Sequence, residues 1–267
     1  MKTTGDYASP VQEDEMTRFV PPMAEVVPFE SGLVKYVAAV DPNLFLILGS
    51  EFSEIVEIRI PPSFVLSAEP GTMVHMDPKL KAEVDMGGCC QGCTRCCCAG
   101  ESCFRLNFSN HDLGEPQILA LAGRLPSKIV PVDMSRHPNG LVFRSGGFLA
   151  AVGKDWNIKL NVTSCSNGCC GGMGFVLNRL TGSSWVFLAA GGTVMRKQLE
   201  AGESIIVEQR SVFAFEGTVK MSVVRVKGAA ALCCGGMGIT NTKLTGPGFV
   251  LIESMSPSKL LLGLRTG

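Results

Sequence analysis

The 267-residue chain lacks net charge: 24 Lys and Arg balance 24 Asp and Glu, so no overall field directs it toward nucleic acid or an acidic membrane surface. It is poor in histidine, with only His75, His111 and His137, which leaves few imidazoles for a metal centre or a general base. No apolar run approaches the ~20 residues that span a bilayer. The opening Met1-Lys2-Thr3-Thr4-Gly5-Asp6 lacks the apolar segment of a secretory signal, and Glu13, Asp14 and Glu15 argue against an Arg-rich presequence. A cytoplasmic location is the default expectation. Stretches with helical periodicity are scarce, and no Walker motif or local pair of carboxylates marks a reaction centre.

What the chain has instead is glycine and cysteine in a returning pattern. Cys169-Cys170-Gly171-Gly172-Met173-Gly174 recurs as Cys233-Cys234-Gly235-Gly236-Met237-Gly238, displaced by 64 residues, and Leu180-Thr181-Gly182 recurs as Leu244-Thr245-Gly246 at the same displacement. Two tracts that move together imply a duplicated structural unit. A degenerate first copy runs from Gly87-Gly88-Cys89-Cys90 to Cys96-Cys97-Cys98-Ala99-Gly100-Glu101. With 31 glycines and 15 prolines the chain is rich in turns.

Residues 1–30, interrupted by Pro10, Pro21, Pro22 and Pro28, read as a flexible N-terminal arm; 31–267 reads as a single all-β body with repeats at about 51–123, 124–192 and 193–255. Ile55, Val56, Ile58 and Ile60 before Pro61-Pro62, then Phe64-Val65-Leu66-Ser67-Ala68, predict strand, turn, strand. Met73–Met76, Phe148–Ala151 and Val212–Phe215 read as equivalent strands in the three units. Period-two alternation predicts strands over 156–162 and 219–226, and the apolar blocks flanking each Leu-Thr-Gly predict a hairpin-like element. Three β-rich units around a common core therefore outrank an α/β fold, with a linear β-solenoid as the alternative.

Ala68-Glu69-Pro70-Gly71-Thr72-Met73-Val74-His75-Met76, Ser145-Gly146-Gly147-Phe148-Leu149-Ala150 and the two Gly-Gly-Met-Gly/Leu-Thr-Gly blocks resemble the altered-inheritance-of-mitochondria protein twenty-four family, from about Ile47 to Ser254. The resemblance implies a compact all-β fold similar to the tryptophan-RNA-binding attenuation protein (TRAP) class, a variant of the double-stranded β-helix, with three units in pseudo-threefold arrangement. It implies neither tryptophan nor RNA binding, since fold does not carry function. Yeast relatives are associated with mitochondrial organisation, so a mitochondrial association joins the cytoplasmic default. The cysteine cluster in the first connection departs from the family pattern.

Cys89, Cys90, Cys93, Cys96, Cys97 and Cys98 contain Cys-x2-Cys spacing suited to zinc, and Cys103 is near enough to join them. Packed, reduced thiols filling tight β connections are the simpler reading, and acylation giving peripheral membrane contact is a third. Cys165, Cys169, Cys170, Cys233 and Cys234 could contribute to a metal only if the units converge. His75 reads as a packed or surface residue, and Glu101, Asp112, Asp155 and Glu203 as solvated carboxylates. Trp156 and Trp185 belong to strand packing, and the basic spots Arg196-Lys197 and Arg225-Val226-Lys227 are too short to track phosphates. The expected function is a noncatalytic scaffold or interaction protein with a protein partner or a second copy of itself, no cofactor and no nucleic acid. The alternative is a metal- or small-molecule-binding protein using the Cys-rich connection or a groove between repeats.

Overall fold

The computed structural model describes residues 29–50, 52–85, 102, 104–111, 114–160, 176–225 and 240–266. Strands dominate, as the alternating apolar patterns require. The first stretch holds β1 (Val34–Lys35), β2 (Phe45–Gly49), β3 (Glu54–Ile60), β4 (Val65–Ala68), β5 (Met73–Met76), β6 (Lys81–Asp85) and β7 (Arg105–Ser109). The second holds β8 (Gln117–Ala122), β9 (Ser127–Asp133), β10 (Leu141–Arg144), β11 (Phe148–Val152), β12 (Trp156–Leu160) and β13 (Leu177–Gly182). The third holds β14 (Trp185–Gly191), β15 (Val194–Leu199), β16 (Ser204–Glu208), β17 (Val212–Glu216), β18 (Lys220–Arg225), β19 (Thr240–Thr245) and β20 (Gly248–Glu253), followed by helix α1 (Pro257–Thr266).

The described strands form four antiparallel sheets: β1-β15-β20-β17-β10-β13-β12, β6-β7-β4-β11-β14-β9, β2-β3-β8-β5 and β16-β19-β18. Within them β6-β7-β4, β12-β13-β10 and β18-β19-β16 share one order, and β3-β8-β5, β9-β14-β11 and β15-β20-β17 share another. Pairing of β4 with β11, and of β10 with β17, ties these groups together. Strands β5 and β16 are not paired with each other, so each is a sheet edge among the described strands.

The blocks expected to be equivalent, now β5, β11 and β17, each pair antiparallel with the strand that opens the following stretch or ends the chain's last one: β8, β14 and β20. All three pairings carry a register shift at the second residue of the block, between Met73 and His75, Phe148 and Ala150, and Val212 and Ala214. A shift of this kind bends the strand and raises local twist, which curls the sheets around their apolar faces.

The core is continuous across the stretches. One cluster draws Phe143, Phe148, Val186 and Leu188 together with Phe213 and Leu251; a second joins Phe45, Ile58 and Leu66 to Leu149 and Phe187; a third gathers Val142, Leu177, Leu199, Val212, Leu244 and Val250. Phe45 is held by edge contacts to Phe187 at 5.0 Å and Trp185 at 5.2 Å. Buried side chains at alternate strand positions produce this layering.

Two expectations change. The Leu-Thr-Gly blocks do not form hairpins: β13 pairs with β10 and β12 while β14 pairs with β9 and β11, and β19 and β20 likewise enter different sheets. Gly182 makes this possible, since at φ +124° its missing side chain lets the chain run against the Asp155 carbonyl and the Trp156 backbone before crossing between sheets. The body is also not wholly β, because α1 closes it. Ser256 and Pro257 start that helix, with the Ser256 hydroxyl accepting the Lys259 N–H at 3.3 Å.

Candidate functional site

All twelve cysteines, including Cys89, Cys90, Cys93, Cys96, Cys97 and Cys98, lie outside the described residues, as do Glu101 and Asp112. Among the described residues no group of three or more His, Cys, Asp or Glu side chains is placed to hold a metal. Each histidine has its own setting. His75 is exposed on β5 with Nε2 4.0 Å from Glu57, His111 Nε2 lies 3.0 Å from the Ser109 hydroxyl, and His137 Nδ1 lies 3.4 Å from Glu216.

The remaining singled-out residues hold structure together. Asp155 accepts the Ser183 backbone N–H at 3.1 Å and the Ser183 hydroxyl, fixing the β13–β14 turn. Glu203 pairs with Lys197 at 2.8 Å, and the hydrogen bond from Lys197 holds its carboxyl below the ordinary range. Trp156 stacks on Phe148 at 5.3 Å and Trp185 packs on Phe45, which is strand packing. The Arg105 guanidinium covers both rings of the first stack, 4.2 Å from Phe148 and 4.8 Å from Trp156.

The polar groups that do converge surround a cavity of about 180 Å³. It is built by the turn after β4, the β8–β9 and β10–β11 turns, the end of β14 and the start of α1. Gly191 is required there, because a Cβ at this position would overlap the Met255 carbonyl that closes one wall. Arg144 forms the floor. Its Nε donates to Glu253 Oε1, its Nη2 to Glu253 Oε2 at 3.1 Å and to the Ala189 carbonyl at 3.4 Å, and its Nη1 to the Ser145 carbonyl at 3.0 Å.

Glu253 is fully buried and also accepts the Gly191 N–H at 2.7 Å. Burial raises its carboxyl above the ordinary value and outweighs the opposing charge and hydrogen bond of Arg144. At the other side Glu69, its side chain only 8% exposed, accepts from Arg124 Nη2 through Oε2 at 3.2 Å. Arg124, itself half in solvent, also donates to the Pro70 carbonyl at 3.0 Å and to the Ser102 hydroxyl at 2.7 Å. Glu69 Oε1 and the buried Ser127 hydroxyl have no hydrogen-bond partner among the described residues.

The cavity lining is largely apolar, with the Glu69–Arg124 ion pair on one side and, on the other, Arg144, whose carboxylate partner Glu253 lies behind it. Arg124, Ser127, Arg144 and Glu253 belong to no sequence motif, and Glu69 stands out only as part of Ala68-Glu69-Pro70-Gly71. The one available signal was Glu69 itself, a carboxylate that directly follows the inward-facing end of an apolar strand. Arg144 and Glu253 lie too far apart in the chain for any spacing rule to join them.

Among the described residues no helix is long and apolar enough to cross a membrane. No curated protein matches the chain. A crystal structure of a Streptococcus pyogenes protein is similar, with 20% sequence identity, a TM-score of 0.65, and coverage of 83% of this chain and 98% of that one, which is a likeness of fold. The family model for mitochondrial biogenesis AIM24 matches residues 45–255, nearly the whole strand-bearing body, so the chain belongs to the AIM24 family.

Proposed function

We propose that this AIM24-family chain is a noncatalytic scaffold that associates through its strand edges, with a second copy of itself as the first partner. The observation that carries the reading is that β5 and β16 each have one edge unpaired among the described strands. Strands β11 and β17 are each paired on both sides, and their register-shift residues Leu149 and Phe213 are buried at 1% and 0% exposure. The corresponding residue of β5, Val74, is 48% exposed, and Ile206 on β16 is 58% exposed. Unpaired backbone groups beside exposed apolar side chains form a template for strand addition.

The shared strand orders support three related units in pseudo-threefold arrangement as the frame of this proposal, and the TRAP-like, double-stranded β-helix kinship that the family resemblance implies is part of the same proposal. In that frame β5 and β16 are the strands that have no cross-unit partner among the described strands. A mitochondria-linked role follows the family's description, and peripheral membrane contact through the Cys-rich connection belongs to the same reading.

Sedimentation velocity over a range of concentrations tests the proposal. The wild-type chain is expected to self-associate, and Val74→Lys and Ile206→Lys, which place a charge on each edge, to shift the equilibrium toward monomer by at least tenfold. A chain that stays monomeric at every concentration overturns the reading.

A further inference from the structure

We propose that copies of this chain join head to tail, with β16 of one adding to β5 of the next in the register that the chain already uses at its two internal junctions. This rests on the scaffold reading and deepens it, by fixing which edge meets which and residue against residue.

The chain contains its own template for the contact. At the β10–β17 junction Phe143 stands opposite Ala214 and Val142 opposite Phe215. The β4–β11 junction repeats this, with Ala68 opposite Ala150 and Ser67 opposite Ala151. In both, a strand of continuous register lies against a strand that carries the register shift, and the paired residues follow the shift.

The neighbours of β16 and β5 give these strands the same two roles. Leu180 and Leu244, 64 residues apart, face Leu141 and Ile205, so Ile205, Ile206 and Val207 stand where Leu141, Val142 and Phe143 do. Met73, His75 and Met76 face β8 with the same shift that Val212, Ala214 and Phe215 show against β20. Carried over, the template sets Val207 opposite His75 and Ile206 opposite Met76.

Exposure marks the junction that is left open. Val142 and Ser67, the counterparts of Ile206, are 2% and 8% exposed, whereas Ile206 is 58% exposed. On the other side Ala150 and Ala214 are fully buried, while the side chain of their counterpart His75 is 59% exposed. Strands β5 and β16 of one chain are not paired with each other, so each copy offers one edge of each kind. A second copy supplies the strand that each edge lacks among the described strands, satisfying backbone groups and covering apolar side chains in one step. Pairing like with like, β5 on β5 or β16 on β16, would set shifted against shifted or continuous against continuous, which neither internal junction does.

Sedimentation velocity on two single variants and their mixture tests the pairing. Ile206→Lys leaves only the β5 edge intact and Val74→Lys only the β16 edge, since each lysine enters a seam whose internal counterparts are buried. Each variant alone is expected to stay monomeric at concentrations where the wild-type chain associates, and an equimolar mixture of the two to form a dimer and nothing larger. Register is read from Ile206→Lys combined with Met76→Glu in one chain. Those opposite charges face each other across the seam and are expected to strengthen association several-fold over Ile206→Lys alone, whereas Met73→Glu in place of Met76→Glu gives no recovery. If the double variant fails to fold by circular dichroism, the mixture still decides. Self-association of either single variant as strong as that of the wild type, or a mixture that stays monomeric, overturns the head-to-tail pairing while the associating wild-type chain upholds the scaffold reading. A wild-type chain that is monomeric at every concentration overturns both.

Discussion

Arg144 and Glu253 show how one buried pair ties distant strands, one at the end of β10 and the other at the end of β20. Arg144 satisfies four acceptors, counting both oxygens of Glu253 and the Ser145 and Ala189 carbonyls, so its loss strands a buried carboxylate. Breaking such a pair from one side costs on the order of 3–5 kcal/mol, while replacing both partners with apolar groups costs far less. Arg144→Met is therefore expected to lower the urea midpoint strongly, and Arg144→Met combined with Glu253→Leu to recover much of the loss.

The same carboxyl sets a pH slope. Glu253 is raised in the folded state, mainly by burial, so the native chain holds its proton to higher pH than the unfolded chain does. Its contribution is fully present below the unfolded carboxyl value and is lost as pH rises through the folded value. Glu208 tilts the opposite way. Burial is the largest single influence on it, but Arg210 and Lys259 together overcome burial and lower it, so its contribution is present above the unfolded value and lost as pH falls through the folded one. Glu253→Gln should remove the decline on the rising side and leave the acid-side loss, as read from urea denaturation between about pH 2 and 8, a range that spans both lowered and raised carboxyls.

At the scale of elements, β13 and β14 illustrate what sequence can and cannot convey. The apolar blocks on either side of Leu180-Thr181-Gly182 were legible as strands, although Leu180-Thr181-Gly182 itself lies within β13 rather than in the turn, and so were β3, β4, β12 and β18, because period two and turn residues are local signals. Even the equivalence of β5, β11 and β17 was legible, and all three share one register shift. Which sheet a strand enters is not local. Gly182 and Ser183-Ser184 look like any tight turn, yet here they carry the chain from one sheet to another. Helix α1 announced itself only through Ser256-Pro257. The cavity was illegible because its polar groups come from five separate connections and strand ends. Gly182→Ala is expected to cost about 1–3 kcal/mol from the strained backbone, with added overlap against Asp155 and Trp156, and thermal unfolding measures it.

At the scale of the whole molecule, the apolar clusters cross the boundaries that the sequence suggests near residues 123 and 192. The second apolar cluster needs Leu149 and Phe187 to complete the layer begun by Phe45 and Leu66, and the first needs Phe213 and Leu251 beside Phe143 and Val186. Strand β4 reaches β11 and strand β10 reaches β17, so each stretch lends a strand to the next one's sheet. In a solenoid, by contrast, a terminal unit can be removed with the loss of one interface. A fragment ending at residue 123 would expose Phe45, Ile58 and Leu66 and strip β4 of a neighbour, leaving it without a closed core. The expectation is that residues 31–123 alone show no cooperative thermal transition by circular dichroism, while 31–267 unfolds in one. A fragment that melts cooperatively would show that the units are independent modules and that the shared clusters add stability without defining the fold.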